Sequence, residues 1–178
     1  MNFTLCTGNV GKLAEFRRLL PASLKYDHSA IDLAEIQSLD SREIIAGKAR
    51  VAYAVIGQPV VVEDVTAGID ELGGLPGPFI KFFEHQLGKD ALFQLRGRTA
   101  ATIRCTIGYY DGVTLLIATG TVHGMAVAPR GEYGFGFDTC FMPAGQAKTY
   151  GEMPPAEKDA VSHRSLAVTD LLSQLKQL

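Results

Sequence analysis

Hydrophobic positions along the chain change spacing from segment to segment, and the changes predict the elements. Asn2 to Cys6 is a short apolar opening; after the polar turn Thr7-Gly8-Asn9, residues Leu13, Phe16 and Leu20 recur at helical spacing. This predicts strand, loop and helix, the helix ending at Pro21. A mixed, strand-like stretch follows. Asp40 and Glu43 then have the spacing of a capping box before a second helix through Ile44, Ile45, Ala49, Ala52 and Ile56, which Gly57 and Pro59 stop. Pro59 to Val65 is the best buried-strand segment, because Val60, Val61 and Val62 form a β-branched run; Glu63 and Asp64 are predicted to lie at its end.

The Gly- and Pro-rich stretch Gly73 to Pro78 predicts a loop into a helix around Phe79 to Gln86. Ala101, Ile103, Cys105, Ile107 and Tyr109 alternate with Thr102, Arg104 and Thr106, the period of a half-exposed strand. Asp111-Gly112 then predicts a hairpin turn into a second long strand reaching about Val122. From Pro129 to Pro143 the chain is rich in Gly and aromatics and shows no stable period. A last helix begins near Ser162 and buries Val168, Leu171, Leu172 and Leu175. Strands interleaved with helices, plus one antiparallel hairpin, give an α/β class with a mixed sheet.

At 178 residues the chain is expected to form one domain, 1–178, with no repeat or linker. Hydrophobic residues make up 47% and charged residues 20%, which excludes a disordered or collagen-like chain. The net charge of -2 supplies no overall cationic field for a nucleic-acid backbone or an anionic membrane, so neither partner is expected and an anionic ligand must be gripped locally. Cys6, Cys105 and Cys140 show no metal-ligand spacing, and their odd number fits a reducing compartment. With no apolar leader at the start and no membrane-span run, a cytoplasmic location is expected.

Four places could carry chemistry. Thr7-Gly8-Asn9-Val10-Gly11-Lys12 joins a strand to a helix, so backbone donors, a helix N-terminus and the Lys12 charge face one point, as a phosphate site requires. A plain connection is the alternative. Glu63-Asp64 places two acids after an apolar run, where they must be solvated, neutralised by a base or bound to a hard cation such as Mg2+. Gly131 to Asp138, reading GEYGFGFD, offers aromatics that stack on a base or, alternatively, fill the core. Lys158 and Ser162-His163-Arg164 set cationic groups before and at the start of the last helix, against its dipole, which points to a task other than stability. His28, His85 and His123 read as ordinary surface or hairpin residues.

Taken in order, TGNVGK, VVVEDVTAGIDELGGLPGPFIKFF, APRGEYGFGFD with CFMP, and TYGEMPPAEKDAVSHR resemble the inosine triphosphate pyrophosphatase family over nearly the whole chain. The wording GGLPGPFIKFF and AEKDAVSHR is closer to its eukaryotic-type members. The resemblance implies a long twisted mixed sheet with flanking helices in two lobes, a nucleotide cleft between them and a homodimer. It also implies hydrolysis of ITP, dITP and XTP to monophosphate and pyrophosphate. By the same carry-over Thr7, Gly8, Asn9 and Lys12 hold phosphates, Glu35 and Asp64 serve a Mg2+ site, and Asp64 accepts the proton of the attacking water. Lys48 and Lys81 reach the substrate. Phe135 stacks on the base within the run Phe135, Gly136 and Phe137, and Asp138, Lys158, His163 and Arg164 surround the base edge.

The pattern departs from the family in three places. Val65 stands where many relatives carry a hydroxyl residue, with Thr66 one place later; the Glu35 to Lys48 segment is one residue longer; and Asp159 replaces a usual Asn. Two other readings are a pyrophosphatase for modified pyrimidine or methylated nucleotides and a nucleotide-binding module without catalysis.

Overall fold

The opening elements form where the pattern predicts them. β1 (Thr4–Cys6) is wholly buried, and Asn9 caps α1 (Val10–Leu19), its side-chain oxygen accepting from the Lys12 N–H at 3.0 Å. β2 (Asp27–Ser29) follows, then α2 (Ser41–Ile56). Asp40 caps α2 by accepting from the Arg42 N–H, while the Glu43 carboxylate accepts from the Ser38 hydroxyl instead of closing a capping box. Gly57 ends α2 in the left-handed conformation, as glycine does at little cost. The computed structural model describes residues 2–178.

β3 spans Val60–Ile69, so Glu63 and Asp64 lie inside a ten-residue strand and not at its end. Thr66 and Gly68 interrupt the apolar pattern, yet Val65, Ala67 and Ile69 remain buried and carry the strand on. Gly68 is needed there, because a Cβ at that position would stand 1.9 Å from the Gly74 carbonyl oxygen. That approach lets β4 (Pro76–Gly77) pair antiparallel with the far end of β3.

α3 (Ile80–Leu87) and a second short helix, α4 (Ala91–Arg96), precede the predicted hairpin of β5 (Thr99–Tyr110) and β6 (Leu115–Ala126). At its turn the Asp111 carboxylate accepts from the Val113 and Thr114 N–H groups. The aperiodic stretch after β6 contains a 3-10 turn over Gly136–Cys140 and β7 (Phe141–Pro143). α5 (Pro155–Asp159) and α6 (His163–Leu175) close the chain.

Among the described residues seven strands form one mixed sheet in the order β2-β1-β3-β5-β6-β7, with β4 added on β3. β1 lies parallel between β2 and β3, and β7 pairs antiparallel with β6. The chain resolves into two compact units, Met1–Asp64 with Cys105–Gly120 and Arg164–Leu178, and Val65–Arg104 with Thr121–His163. In the first unit α2 lays Ile45, Ala49 and Ala52 on Cys6, Val60 and Val62. Among the described residues no helix is long and apolar enough to cross a membrane.

Candidate functional site

In the first unit, the loop between β1 and α1 is held from below. The Thr7 N–H donates to the Ser29 carbonyl at 3.0 Å, the His28 ring Nε2 lies 2.9 Å from the Thr7 carbonyl, and the Thr7 hydroxyl accepts from the Asn9 N–H. His28, read as an ordinary surface residue, therefore braces this loop. Gly8 and Asn9 are exposed, and a Cβ at Gly8 would meet nothing within 4 Å, so the space over the loop is open.

Strand pleating separates the acid pair. Successive side chains on a strand point to opposite faces, so Asp64 follows Val60 and Val62 onto the α2 side, and Glu63 follows Val61 onto the other. Glu63 is buried among charges. Its Oε1 accepts from Arg164 Nη2 at 2.6 Å and Nε at 3.1 Å and from the Cys105 thiol at 3.4 Å; its Oε2 faces the Lys12 ammonium at 2.6 Å. Arg164 Nη1 also donates to Glu15 Oε2.

Burial alone would raise the Glu63 carboxyl, but the Arg164 and Lys12 charges hold it well below the usual carboxylate range. Burial alone would likewise lower Lys12, and Glu63 keeps it fully protonated. Arg164, expected at the base edge, thus has its guanidinium on Glu15 and Glu63. Those carboxylates account for a cation at the start of α6, against the helix dipole.

Asp64 is half-buried. Burial pushes its carboxyl up to about 6; Lys12 and Lys48 pull it down, and Glu63 and Glu35 push it further up. On the same side Lys48 donates to Glu35 Oε1 at 2.5 Å and to the Glu63 carbonyl at 3.1 Å. Glu35 is exposed. Among the described residues no three His, Cys, Asp or Glu side chains are grouped to cage a metal. The Glu35 charge acts on Asp64, and two such carboxylates have the oxygen donors that suit a hard divalent cation.

The second unit collects another set. Asp138 Oδ2 accepts from the Phe135 N–H at 2.7 Å and from Lys158 Nζ at 2.6 Å, both side chains being buried. Gly134 sits at φ 75°, and a Cβ there would lie 2.0 Å from Asp138 Oδ2, so the GEYGFGFD glycine is needed where the chain passes the carboxylate. The Lys158 ammonium lies 5.2 Å from the ring centroids of both Phe135 and Tyr150. Phe135 is half-buried, whereas Phe137 is a core residue packed 6.0 Å from the His163 ring, with Gly136 between them. His163 also packs on Tyr150. Lys81 is exposed in the first turn of α3.

Residue types alone did not single out Glu15, Tyr150, Cys105 or His28. A signal existed for Glu15: it stands three residues after Lys12 and beside Phe16, so helical spacing puts an acid at the edge of the buried face.

The Ham1 family model matches residues 3–174. The chain is 36% identical over 183 residues to an inosine triphosphate pyrophosphatase of Puccinia graminis, covering 96% of this chain and 95% of that one. It is 35% identical over 170 residues to the protein of the same name in Schizosaccharomyces pombe, covering 93% and 90%. Among solved structures, a HAM1 protein from Coxiella burnetii superposes with a TM-score of 0.83 at 28% identity, covering both chains fully.

Proposed function

Because the chain belongs to the Ham1 family, we propose that it hydrolyses non-standard purine nucleoside triphosphates (ITP, dITP and XTP) to the nucleoside monophosphate and pyrophosphate. What carries this reading beyond family membership is the place of Asp64: a half-buried carboxyl that burial pushes up to about 6, acted on by the Lys12 and Lys48 ammonium groups. That combination suits a proton acceptor next to a bound polyanion.

In this reading Thr7, Gly8, Asn9 and Lys12 take the polyphosphate, the loop through its backbone donors and Lys12 through its charge. Asp64 orients a water toward the α-phosphorus and takes its proton as pyrophosphate departs; at neutral pH it is mostly ionised and ready to accept. Lys48 fixes Glu35 in place, and it and Lys81 add positive charge for the phosphate oxygens. Asp64 and Glu35 would hold Mg2+, which would supply positive charge against the charge developing in the reaction.

The base belongs to the second unit, where Phe135 offers a ring face and Asp138 fixes both the Phe135 backbone and Lys158. Hypoxanthine and xanthine present an acceptor oxygen at position 6, where adenine presents an amino donor. Donors such as Lys158 and His163 favour the former and oppose the latter. A cytoplasmic homodimer accompanies the reading as a family expectation, and sedimentation at the mass of two chains tests the dimer.

The test is turnover of ITP, XTP, ATP and GTP, together with pyrimidine triphosphates, by purified protein with Mg2+, followed through pyrophosphate release. Turnover of ITP and XTP far above ATP supports the reading. Absence of ITP and XTP turnover refutes it, and preference for a pyrimidine substrate replaces it.

A further inference from the structure

Both backbone groups of Thr7 are held by β2, the strand at one edge of the sheet. Its N–H donates to the Ser29 carbonyl at 3.0 Å, and its carbonyl lies 2.9 Å from the His28 ring Nε2. A carbonyl only accepts, so Nε2 carries the hydrogen and donates. The Ser29 bond continues the pairing of β1 with β2, in which Cys6 stands opposite Ser29, and any residue at 29 would supply it. The His28 bond comes from a side chain, so here the residue type decides.

That hydrogen bond orients the next peptide group. The Thr7–Gly8 bond is trans, so its C=O and N–H share a plane and point in opposite directions. With the Thr7 carbonyl held toward the His28 ring, the Gly8 N–H is turned the other way, and Gly8 is exposed. Neighbouring donors are committed inside the loop: the Asn9 N–H to the Thr7 hydroxyl at 3.2 Å, and the Lys12 N–H to the Asn9 side-chain oxygen at 3.0 Å. Gly8 thus presents an outward donor whose direction His28 sets.

We propose that His28 is a positioning residue for the polyphosphate: by donating to the Thr7 carbonyl it aims the Gly8 N–H at a phosphate oxygen. This inference rests on the pyrophosphatase reading for its substrate. It gives a task to a histidine whose place in the sequence marks it only as a surface residue, and the ring performs it without touching the ligand.

The first measurement uses wild-type protein, with ¹H–¹⁵N NMR spectra followed as inorganic tripolyphosphate is added in the presence of Mg2+. A new hydrogen bond to an anion is expected to carry the Gly8 amide proton downfield. A Gly8 resonance that stays in place at saturation would overturn the proposal, as would wild-type protein that binds no tripolyphosphate.

The second compares His28→Phe, which keeps a ring without a donor, with His28→Gln, which restores an N–H donor. Folding is checked by circular dichroism. His28→Phe is expected to bind tripolyphosphate about 3- to 10-fold more weakly, with a smaller Gly8 shift and a parallel fall in kcat/KM for ITP. Its affinity for inosine, which has a base but no phosphate, is expected to stay unchanged, and His28→Gln is expected to recover most of the loss. Wild-type tripolyphosphate affinity in His28→Phe would overturn the proposal. So would a loss shared equally by inosine, a loss that His28→Gln leaves unrecovered, or failure of both variants to fold, each of which marks a general structural role. Wild-type protein that shows the Gly8 shift but does not turn over ITP would instead refute the substrate reading and leave the positioning result standing.

Discussion

Glu63 and Asp64 are consecutive on β3, and the pleat sends them to opposite faces of the sheet, Glu63 onto Lys12 and Arg164 and Asp64 onto the side where α2 packs. One carboxyl is held ionised by two cations; its neighbour has a pKa of about 6. Two acids adjacent in sequence therefore differ in protonation behaviour because their surroundings differ.

The raised pKa of Asp64 gives an acidic limb to the rate. kcat/KM for ITP is expected to rise with pH through about 6 when Mg2+ is limiting, and the limb is expected to move to lower pH as Mg2+ is added, since a bound cation favours the ionised carboxyl. Asp64→Asn is expected to lower kcat by about 10²- to 10⁴-fold. Initial rates across pH at two Mg2+ concentrations check the first expectation, and a variant with near-normal kcat would remove Asp64 from the chemistry.

The same shift has a sign for stability. A carboxyl whose folded pKa lies above its ordinary value of 3.8 favours folding most when protonated, and that favour is lost as pH rises through about 6. Metal-free Asp64→Asn protein is therefore expected to match wild type below about pH 4 and to exceed it by about 1–3 kcal/mol above pH 6, a rise of several degrees in Tm. Thermal melts in chelator at pH 4 and pH 8 measure the difference. An equal gap at both values would contradict it.

How far these residues could be read from the chain depends on how local their determinants are. α2 was legible because Asp40, the Ile44–Ala52 apolar face and Gly57 all lie within or beside it. The β5–β6 hairpin was legible from alternation and Asp111-Gly112. The far half of β3 was not, because Gly68 looks like a break in sequence and its reason, the Gly74 carbonyl, belongs to the returning chain. Lys12 and Asp64 could be named from residue type and family wording. The partners of Arg164 could not, because Glu63 and Glu15 stand 101 and 149 positions away. Only the electrostatic mismatch at the start of α6 pointed to them.

The Asp138–Lys158 pair is expected to dominate the stability of its surroundings. Asp138→Ala leaves a buried ammonium without its carboxylate and frees the Phe135 N–H, so a loss of about 3–5 kcal/mol is expected. Chemical denaturation measures it. A loss below about 1 kcal/mol would mean that the ammonium finds equivalent partners or water.

Gly134→Ala tests the same corner through the backbone. The added Cβ meets Asp138 Oδ2 at 2.0 Å at a φ that disfavours L side chains, so the segment must shift and carry Phe135 with it. The expected result is a destabilisation of about 2 kcal/mol or more and a raised KM for ITP, read by denaturation and steady-state kinetics. A neutral substitution would show that this segment tolerates movement.

The central claim is that a water directed by Asp64 attacks the α-phosphorus of a purine nucleoside triphosphate. Turnover of ITP in ¹⁸O-labelled water, with products analysed by mass spectrometry, tests it most directly. The label is predicted in the nucleoside monophosphate, with unlabelled pyrophosphate; label in pyrophosphate, or release of inorganic phosphate instead, would contradict it.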